Sequence, residues 1–261
     1  MNYSLKVLYS GSTGNAALLT AGNTAVLIDA GRSAKVLTAA ITAAGISPDA
    51  LSAIFLTHEH NDHTAALEVF LKHHPVPVHA AGASADKLSA RAGEHLRAAL
   101  ISHPPLFAET VGALTFTSFR TSHDSAESVG YRITVAGDGN APPRTIGYAT
   151  DLGVVTPAVE EGLMGCEAVV LECNHDEEML QTGPYPYDLK RRIASRRGHL
   201  SNVDCAAFSV RLAAGGMKRL LLAHLSETNN LPELALGEVR AALAGTAVHI
   251  AAASPTDIIE L

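Results

Sequence analysis

Short apolar runs that stop at turn residues or at acids and histidines set the rhythm of this chain. Residues 5–10 (LKVLYS) have the pattern of a strand, and the Gly/Ser/Asn cluster at 11–15 (GSTGN) that of the turn after it. AALLT (16–20) and TAVLIDAG (24–31) form a hairpin pattern around Gly22-Asn23. Residues 33–45 change to helical spacing and stop at Gly45. LSAIFLT (51–57) reads as a buried strand, DHTAALEVFLKHH (62–74) as a helix and VPVHAA (76–81) as a short strand. The segment 84–100 predicts a helix and 101–110 (ISHPPLFAET) a loop, either an ordinary connection or an excursion over a site.

The second half repeats the style. Residues 113–123 and 128–137 predict antiparallel strands, 138–144 (DGNAPPR) a turn, and 145–151 a strand ending on an acid. A helix over 156–165 has Thr156 as its cap and Pro157 at its first position. Buried strands over 167–172 and 218–223, helices over 201–216 and 231–245, and a closing strand at 247–253 complete the pattern. Strands followed by helices, twice over, predict an α/β (α+β) chain in which two sheets pack face to face with helices outside. Without a linker, repeat or low-complexity segment, residues 1–261 are expected to form one domain.

Composition narrows the function classes. The 261 residues are 47% apolar and 17% charged, the balance of a compact globular protein. A net charge of -7 excludes a molecule that is basic overall, so any nucleic-acid contact needs a local basic patch. Three cysteines without CxxC spacing suit a reducing compartment, and a cytoplasmic location is expected. The N-terminus lacks the charged-then-apolar pattern of a secretory leader, and no apolar run reaches about 18 residues, so no membrane partner is expected.

The chemistry concentrates in THEHNDH (57–63). His58 and His60 are two apart in an extended segment, so they point to one side and reach one ion. Asp62 and His63 open the next helix, turn the other way and reach a second. Glu59 and Asn61 face away and are expected to be structural. Later strands end at His123-Asp124, near Asp151, and at His224, and a sheet that delivers ligands from several strand ends aims them at one point. Other histidines (73, 74, 79, 95, 103, 249) read as ordinary structural residues.

The ordered set HxHxDH, then His123, Asp151 and His224, resembles the metallo-β-lactamase superfamily over nearly the whole chain. The resemblance implies an αββα four-layer sandwich. It also implies a first metal site of His58, His60 and His123, a second of Asp62, His63 and His224, and Asp151 as the bridge between two divalent ions. Nitrogen and carboxylate ligands suit Zn²⁺, Mn²⁺ or Fe²⁺. Such a pair supports hydrolysis, with Asp62 expected to be catalytic as well as a ligand. A carboxylate at Asp151, where zinc β-lactamases carry a cysteine, points to phosphodiester, thioester or lactone substrates. Similarity to tRNase Z-like phosphodiesterases implies that Glu172 and His199 form a proton-delivering pair.

Lys190, Arg191, Arg192, Arg196 and Arg197 are five basic residues within eight, leading directly to His199. Lys190, Arg191, Arg196 and Arg197 are expected to hold a phosphate backbone. A Gly/Ser/Asn turn offers N–H groups that receive phosphate, which adds Ser12 and Asn15 as substrate-binding candidates. SGSTGNA, THEHNDH, SHDSAESVGY, ATDLG, LECNHDEEML, GPYPYDLKRRI, GHLSN and AHLSETNN together resemble the YycJ (WalJ, VicX) family from about Ser10 to Asn230. That resemblance implies a cytoplasmic 5′-to-3′ exonuclease on double-stranded DNA. A PhnP-type phosphodiesterase of small cyclic phosphates is the alternative, with glyoxalase II or lactonase chemistry and a metal-binding protein without turnover behind it. Metal identity and oligomeric state are open at the level of sequence.

Overall fold

The computed structural model describes residues 2–138 and 142–261, so the turn expected over 138–144 lies partly outside the described residues. The chain opens with an antiparallel meander of β1 (Tyr3–Tyr9), β2 (Ala16–Ala21) and β3 (Thr24–Ile28). Helix α1 (Ala34–Ala43) follows, with the Ser33 side chain accepting from Val36 N; the chain leaves it through Gly45 at φ +91°. β4 (Ala53–Phe55) lies parallel to β3 and leads into α2 (Asn61–Thr64) and α3 (Leu67–His73).

The expected single helix over 62–74 is thus two. Asp62 O accepts from Asn15 N, His63 O accepts from Ala30 N, and Ala66 N donates to Ala30 O. The helical ladder breaks because its carbonyls and amides are bonded to the end of β3 and the turn before β2. This docking fixes the HEHNDH turn on the sheet.

β5 (Val78–Ala81), α4 (Gly82–Arg91), α5 (Glu94–Ala99) and β6 (Leu100–His103) come next. The expected continuous helix again divides, because the Glu68 carboxylate accepts from His95 N and Leu96 N and so caps α5 separately. The expected loop at 101–110 is a further correction. Its first part is β6, parallel to β5, and its last part is β7 (Ala108–Val111), which pairs with the second sheet. Both are edge strands with little apolar alternation, and Pro104-Pro105 between them marks the crossing from one sheet to the other.

β8 (Leu114–Arg120), β9 (Val129–Val135) and β10 (Arg144–Ala149) continue antiparallel. Then come α6 (Pro157–Leu163), capped by Thr156, and β11 (Ala168–Glu172). Helices α7 (Glu177–Thr182), α8 (Tyr187–Ile193) and α9 (Asn202–Ala214) follow, before β12 (Arg219–Ala223), α10 (Pro232–Ala242) and β13 (His249–Ala252). β10 to β13 run parallel. A short β14 (Ile259–Glu260), not anticipated from the sequence, returns to β1.

The result is two seven-stranded sheets, ordered β14-β1-β2-β3-β4-β5-β6 and β13-β12-β11-β10-β9-β8-β7. Their facing sides bury Leu19, Phe55, Phe116, Tyr131 and Val170, with the Phe55 and Phe116 rings stacked at 4.0 Å. Two outer layers complete the sandwich: Leu37, Ile41 and Phe70 pack beneath the first sheet, and Val159, Phe208 and Val239 against the second. This is the αββα architecture. Among the described residues no helix is long and apolar enough to cross a membrane.

Glu59 shows how the ligand turn is held from behind. It is 1% exposed and accepts from the Ser84 hydroxyl (2.5 Å), Lys87 Nζ (2.9 Å) and Ala126 N (3.0 Å). Burial works against its charge, but these donors outweigh it and bring the carboxyl down to about 2. A depressed pKa contributes stability above the unfolded value of about 4.3, lost as pH falls through the folded one. Glu59→Gln is therefore expected to be less stable by roughly 1–3 kcal/mol at neutral pH. The gap from wild type should close between about pH 4.5 and about pH 2. Urea melts at stepped pH measure it, and a gap that stays constant over that window would contradict the assignment.

Candidate metal centre

The ligand candidates stand where strands end. β4 delivers His58 and His60, the segment after β8 His123, β10 Asp151 and β12 His224, so both sheets contribute. At three strand ends the backbone turns through the left-handed region, at Asp29 (φ +61°), Asp151 (φ +58°) and His224 (φ +57°). That conformation is costly for side chains other than glycine, and here it swings each acid or imidazole inward.

Two donor groups result. His58, His60 and His123 form one, and Asp62, His63, Asp151 and His224 the other, with donor atoms in each within 4.8 Å of one another. His63 Nε2 lies 3.2 Å from Asp62 Oδ2 and 3.3 Å from Asp151 Oδ2. Asp151 Oδ1 lies 3.5 Å from His224 Nε2 and 3.7 Å from His123 Nε2. Asp151 therefore stands between the two groups.

The remote nitrogen of each buried ligand imidazole is occupied. His58 Nδ1 meets Thr57 Oγ1 (3.1 Å), His63 Nδ1 meets Asp29 Oδ2 (2.8 Å), and His123 Nδ1 meets Gly198 O (3.1 Å). His224 Nδ1 lies 3.1 Å from Glu172 Oε1. Each Nε2 is thereby turned toward the shared space, where that of His63 also meets the Asn15 amide at 3.2 Å. His58 Nε2, Asp151 Oδ2 and His224 Nε2 are buried without a hydrogen-bond partner among the described residues. Orphaned buried lone pairs on imidazole and carboxylate fit a divalent metal ion.

The electrostatics agree. Burial disfavours charge on His63 and His224, yet carboxylates raise both above the ordinary imidazole value: Asp29, Asp151 and Asp62 for His63, and Asp151, Asp62 and Glu172 for His224. Burial and the neighbouring His63 press His58 the other way. Asp151 is held low against its burial by His224, His63 and His58.

Glu172 ends β11 at 0% exposure. One oxygen accepts from Leu152 N (2.8 Å) and Leu200 N (3.3 Å), and the other meets His199 Nδ1 at 2.7 Å. His199 keeps 19% of its side chain exposed, and its Nδ1 is taken up by Glu172.

The remaining candidates divide. Ser12 is exposed beside the centre, whereas Asn15 is 1% exposed and turned inward, its Oδ1 accepting from Ser10 Oγ and Gly11 N, both at 3.0 Å. Its amide reaches His63 Nε2 at 3.2 Å, so it shapes the ligand loop. Arg197 donates to His123 O (3.0 Å) and Ser125 O (3.4 Å), and Arg192 pairs with Asp124, so these two hold α8 and the segment leading from it to His199 against the His123 loop. Lys190, Arg191 and His199 line an open cleft of about 400 Å³ together with Tyr187, which is 72% exposed and carries the Arg191 guanidinium 5.7 Å above its ring. Arg196 is exposed nearby in sequence.

Asp29 escaped the sequence reading; its only signal was an acid ending the apolar run TAVLI. A further donor group, His79, His103 and Glu109, lies at the crossing between sheets. There His79 Nδ1 and His103 Nε2 are 2.8 Å apart with ring centroids at 5.1 Å, nearly the widest spacing that contact allows. The nitrogens thus face each other in line, as in an N–H···N hydrogen bond, rather than converging on a third point.

Residues 24–225 match the beta-lactamase superfamily domain. The chain is 35% identical over 240 residues to exodeoxyribonuclease YycJ of Bacillus anthracis, covering 90% of this chain and 87% of that protein. It is 30% identical over 239 residues to exodeoxyribonuclease WalJ of Streptococcus pneumoniae, covering 90% and 86%. Among solved structures, the metallo-beta-lactamase fold protein YhfI from Bacillus subtilis superposes with a TM-score of 0.73 at 18% identity, over 99% of both chains, a likeness of fold.

Asp29 also accepts from Thr57 N at 2.8 Å, so its carboxylate fixes both the strand end and the His63 ring. Asp29→Ala is expected to weaken metal binding roughly 10–100-fold. Competition against a chelator measures this, and an unchanged affinity would show that His63 needs no such support.

Proposed function

The chain belongs to the beta-lactamase superfamily and, within it, to the YycJ/WalJ family, and from that premise we propose that it is a metal-dependent exodeoxyribonuclease degrading duplex DNA from 5′ to 3′. The observation that carries the reading is the Glu172–His199 pair set against the two donor groups. Acyl transfer has no use for it; a phosphodiester, whose alkoxide leaving group needs a proton, does.

On this reading residues 1–261 act as one domain. His58, His60 and His123 would hold one divalent ion and Asp62, His63 and His224 a second, with Asp151 standing between the two donor groups. Zinc or manganese suits these donors, and iron is compatible. Bound ions would supply Lewis-acid activation of water and stabilisation of charge on the phosphate. The chain does the rest. Asp62, with 25% of its side chain exposed against 2% for Asp151, is the carboxylate that reaches the cleft and orients the attacking water. His199 delivers a proton from Nε2 to the leaving oxygen, while Glu172 fixes its tautomer and steadies its positive form. Lys190, Arg191 and Arg196, with Ser12 across the centre, supply the local cationic and polar surface that an acidic chain needs to hold DNA. Three buried unpaired cysteines suit a reducing cytoplasm.

End-labelled linear duplex, closed circular DNA and single-stranded RNA, each with Mn²⁺ or Zn²⁺, test the reading. Loss of label from linear duplex alone, abolished in Asp62→Ala, is the expected result. Degradation of no polymer would move the substrate to small cyclic diesters. His199→Ala should lower kcat on DNA by about 10²–10⁴. It should affect bis(p-nitrophenyl) phosphate far less, because nitrophenolate leaves without a proton. Equal losses on both substrates would remove His199 from proton delivery.

A further inference from the structure

Among the described residues four non-glycine positions have positive φ, and three of them, Asp29, Asp151 and His224, build the metal centre; the fourth is Arg32 at φ +61°. Nothing in the sequence singled it out. Backbone strain persists where the surroundings over-determine it, and the surroundings of Arg32 do so. Its stem crosses Gly14 so closely that a Cβ there would meet Arg32 Cγ at 2.3 Å. The guanidinium stands 5.1 Å from the Tyr9 ring centre and Nη2 donates to Thr13 Oγ1 at 3.1 Å, while Thr13 is also held by Glu227 at 3.3 Å. Arg32 Nε is buried without a hydrogen-bond partner, and no carboxylate pairs with this guanidinium among the described residues. An arginine held in place without an anion is arranged to receive one.

What it faces is an open cleft of about 560 Å³ lined by Ser12, Thr13, Arg32, Ser33, Asn61 and Asp62, and therefore opening onto the metal centre through Asp62. Ser33 Oγ accepts from Val36 N as the cap of α1, so its hydroxyl proton is free to donate. The first turn of α1 carries no acidic residue, and the positive end of the helix points into the same cleft. The cleft lined by Lys190, Arg191 and His199 shares none of these residues.

We propose that Arg32, with the hydroxyls of Ser12 and Ser33 and the N-terminus of α1, forms a subsite for a DNA backbone phosphate flanking the scissile one, on the Asp62 side of the metal centre. The inference rests on the nuclease reading above. A strand seated there and against Lys190 and Arg191 is gripped on both sides of the bond to be cut, which gives the centre a defined register.

The test uses duplexes carrying one uncharged methylphosphonate linkage, stepped through the positions flanking the cleaved bond, with wild type, Arg32→Ala and Arg32→Lys. For wild type, neutralising one flanking position should raise KM roughly ten-fold with little change in kcat. Arg32→Ala should raise KM on unmodified DNA by a similar factor and be indifferent to that linkage, and Arg32→Lys should recover part of the loss. An unaltered KM in Arg32→Ala, or a raised KM with the wild-type response to every neutral linkage, would overturn the subsite while leaving the nuclease reading intact. If wild type leaves unmodified duplex uncut, both fall together.

Discussion

Asp151 occupies the hardest position in the molecule for a carboxylate. It is 1% exposed, and imidazole nitrogens of His63, His123, His199 and His224 stand 3.3 to 3.8 Å away. Desolvating a carboxylate costs several kcal/mol, and only nearby positive charge or a cation recovers it. Much of the surrounding structure follows from that requirement. The imidazoles converge on this point, their remote nitrogens are tied back to Thr57, Asp29, Gly198 and Glu172, and the strand ends take up left-handed backbone to bring them inward.

The support is as specific as the donor set. The HEHNDH turn is bonded to the end of β3 by Ala30 N–His63 O and Ala66 N–Ala30 O, and to the GSTGN turn by Asn15 N–Asp62 O. Ser10 Oγ accepts from His224 N at 2.8 Å, so the same early turn touches ligand positions from both sheets. Behind the centre, Glu59 gathers α4 and the segment after His123. The two sheets are thus joined at the site by polar contacts as well as by the apolar core between them, and a shift of either one would be felt in the donor geometry.

The basic run on and after α8 has two duties. Arg192 and Arg197 are spent on Asp124 and on the carbonyls of His123 and Ser125, which place His199 against Glu172. Lys190 and Arg191 border the cleft itself, although Lys190 Nζ also donates to Gln181 O at 2.8 Å. That cleft also carries Glu177 and Asp204, so its cationic side is the α8 rim, where Lys190 and Arg191 stand.

Apolar patterning and residue order determined the large features. Alternating runs and the Thr156 cap marked strands and helices, and the seven metal-ligand candidates fall into two of the donor groups found among the described residues. These features are local: period, caps and strand-end polarity are written into neighbouring residues. The tertiary structure alone decided the rest. It divided two expected helices by diverting their backbone bonds to other segments, made edge strands of the 101–110 loop, tied Asn15 to Ser10 and Gly11 and Arg197 to the carbonyls of His123 and Ser125, and brought Asp29 and Arg32 to the site. The divided helices, the pairing of β6 with β5 and the approach of Asp29 and Arg32 depend on partners more than ten residues away or on a φ angle, as with Glu68 capping α5 or Arg32 lying over Gly14, and neighbouring residues do not carry that information.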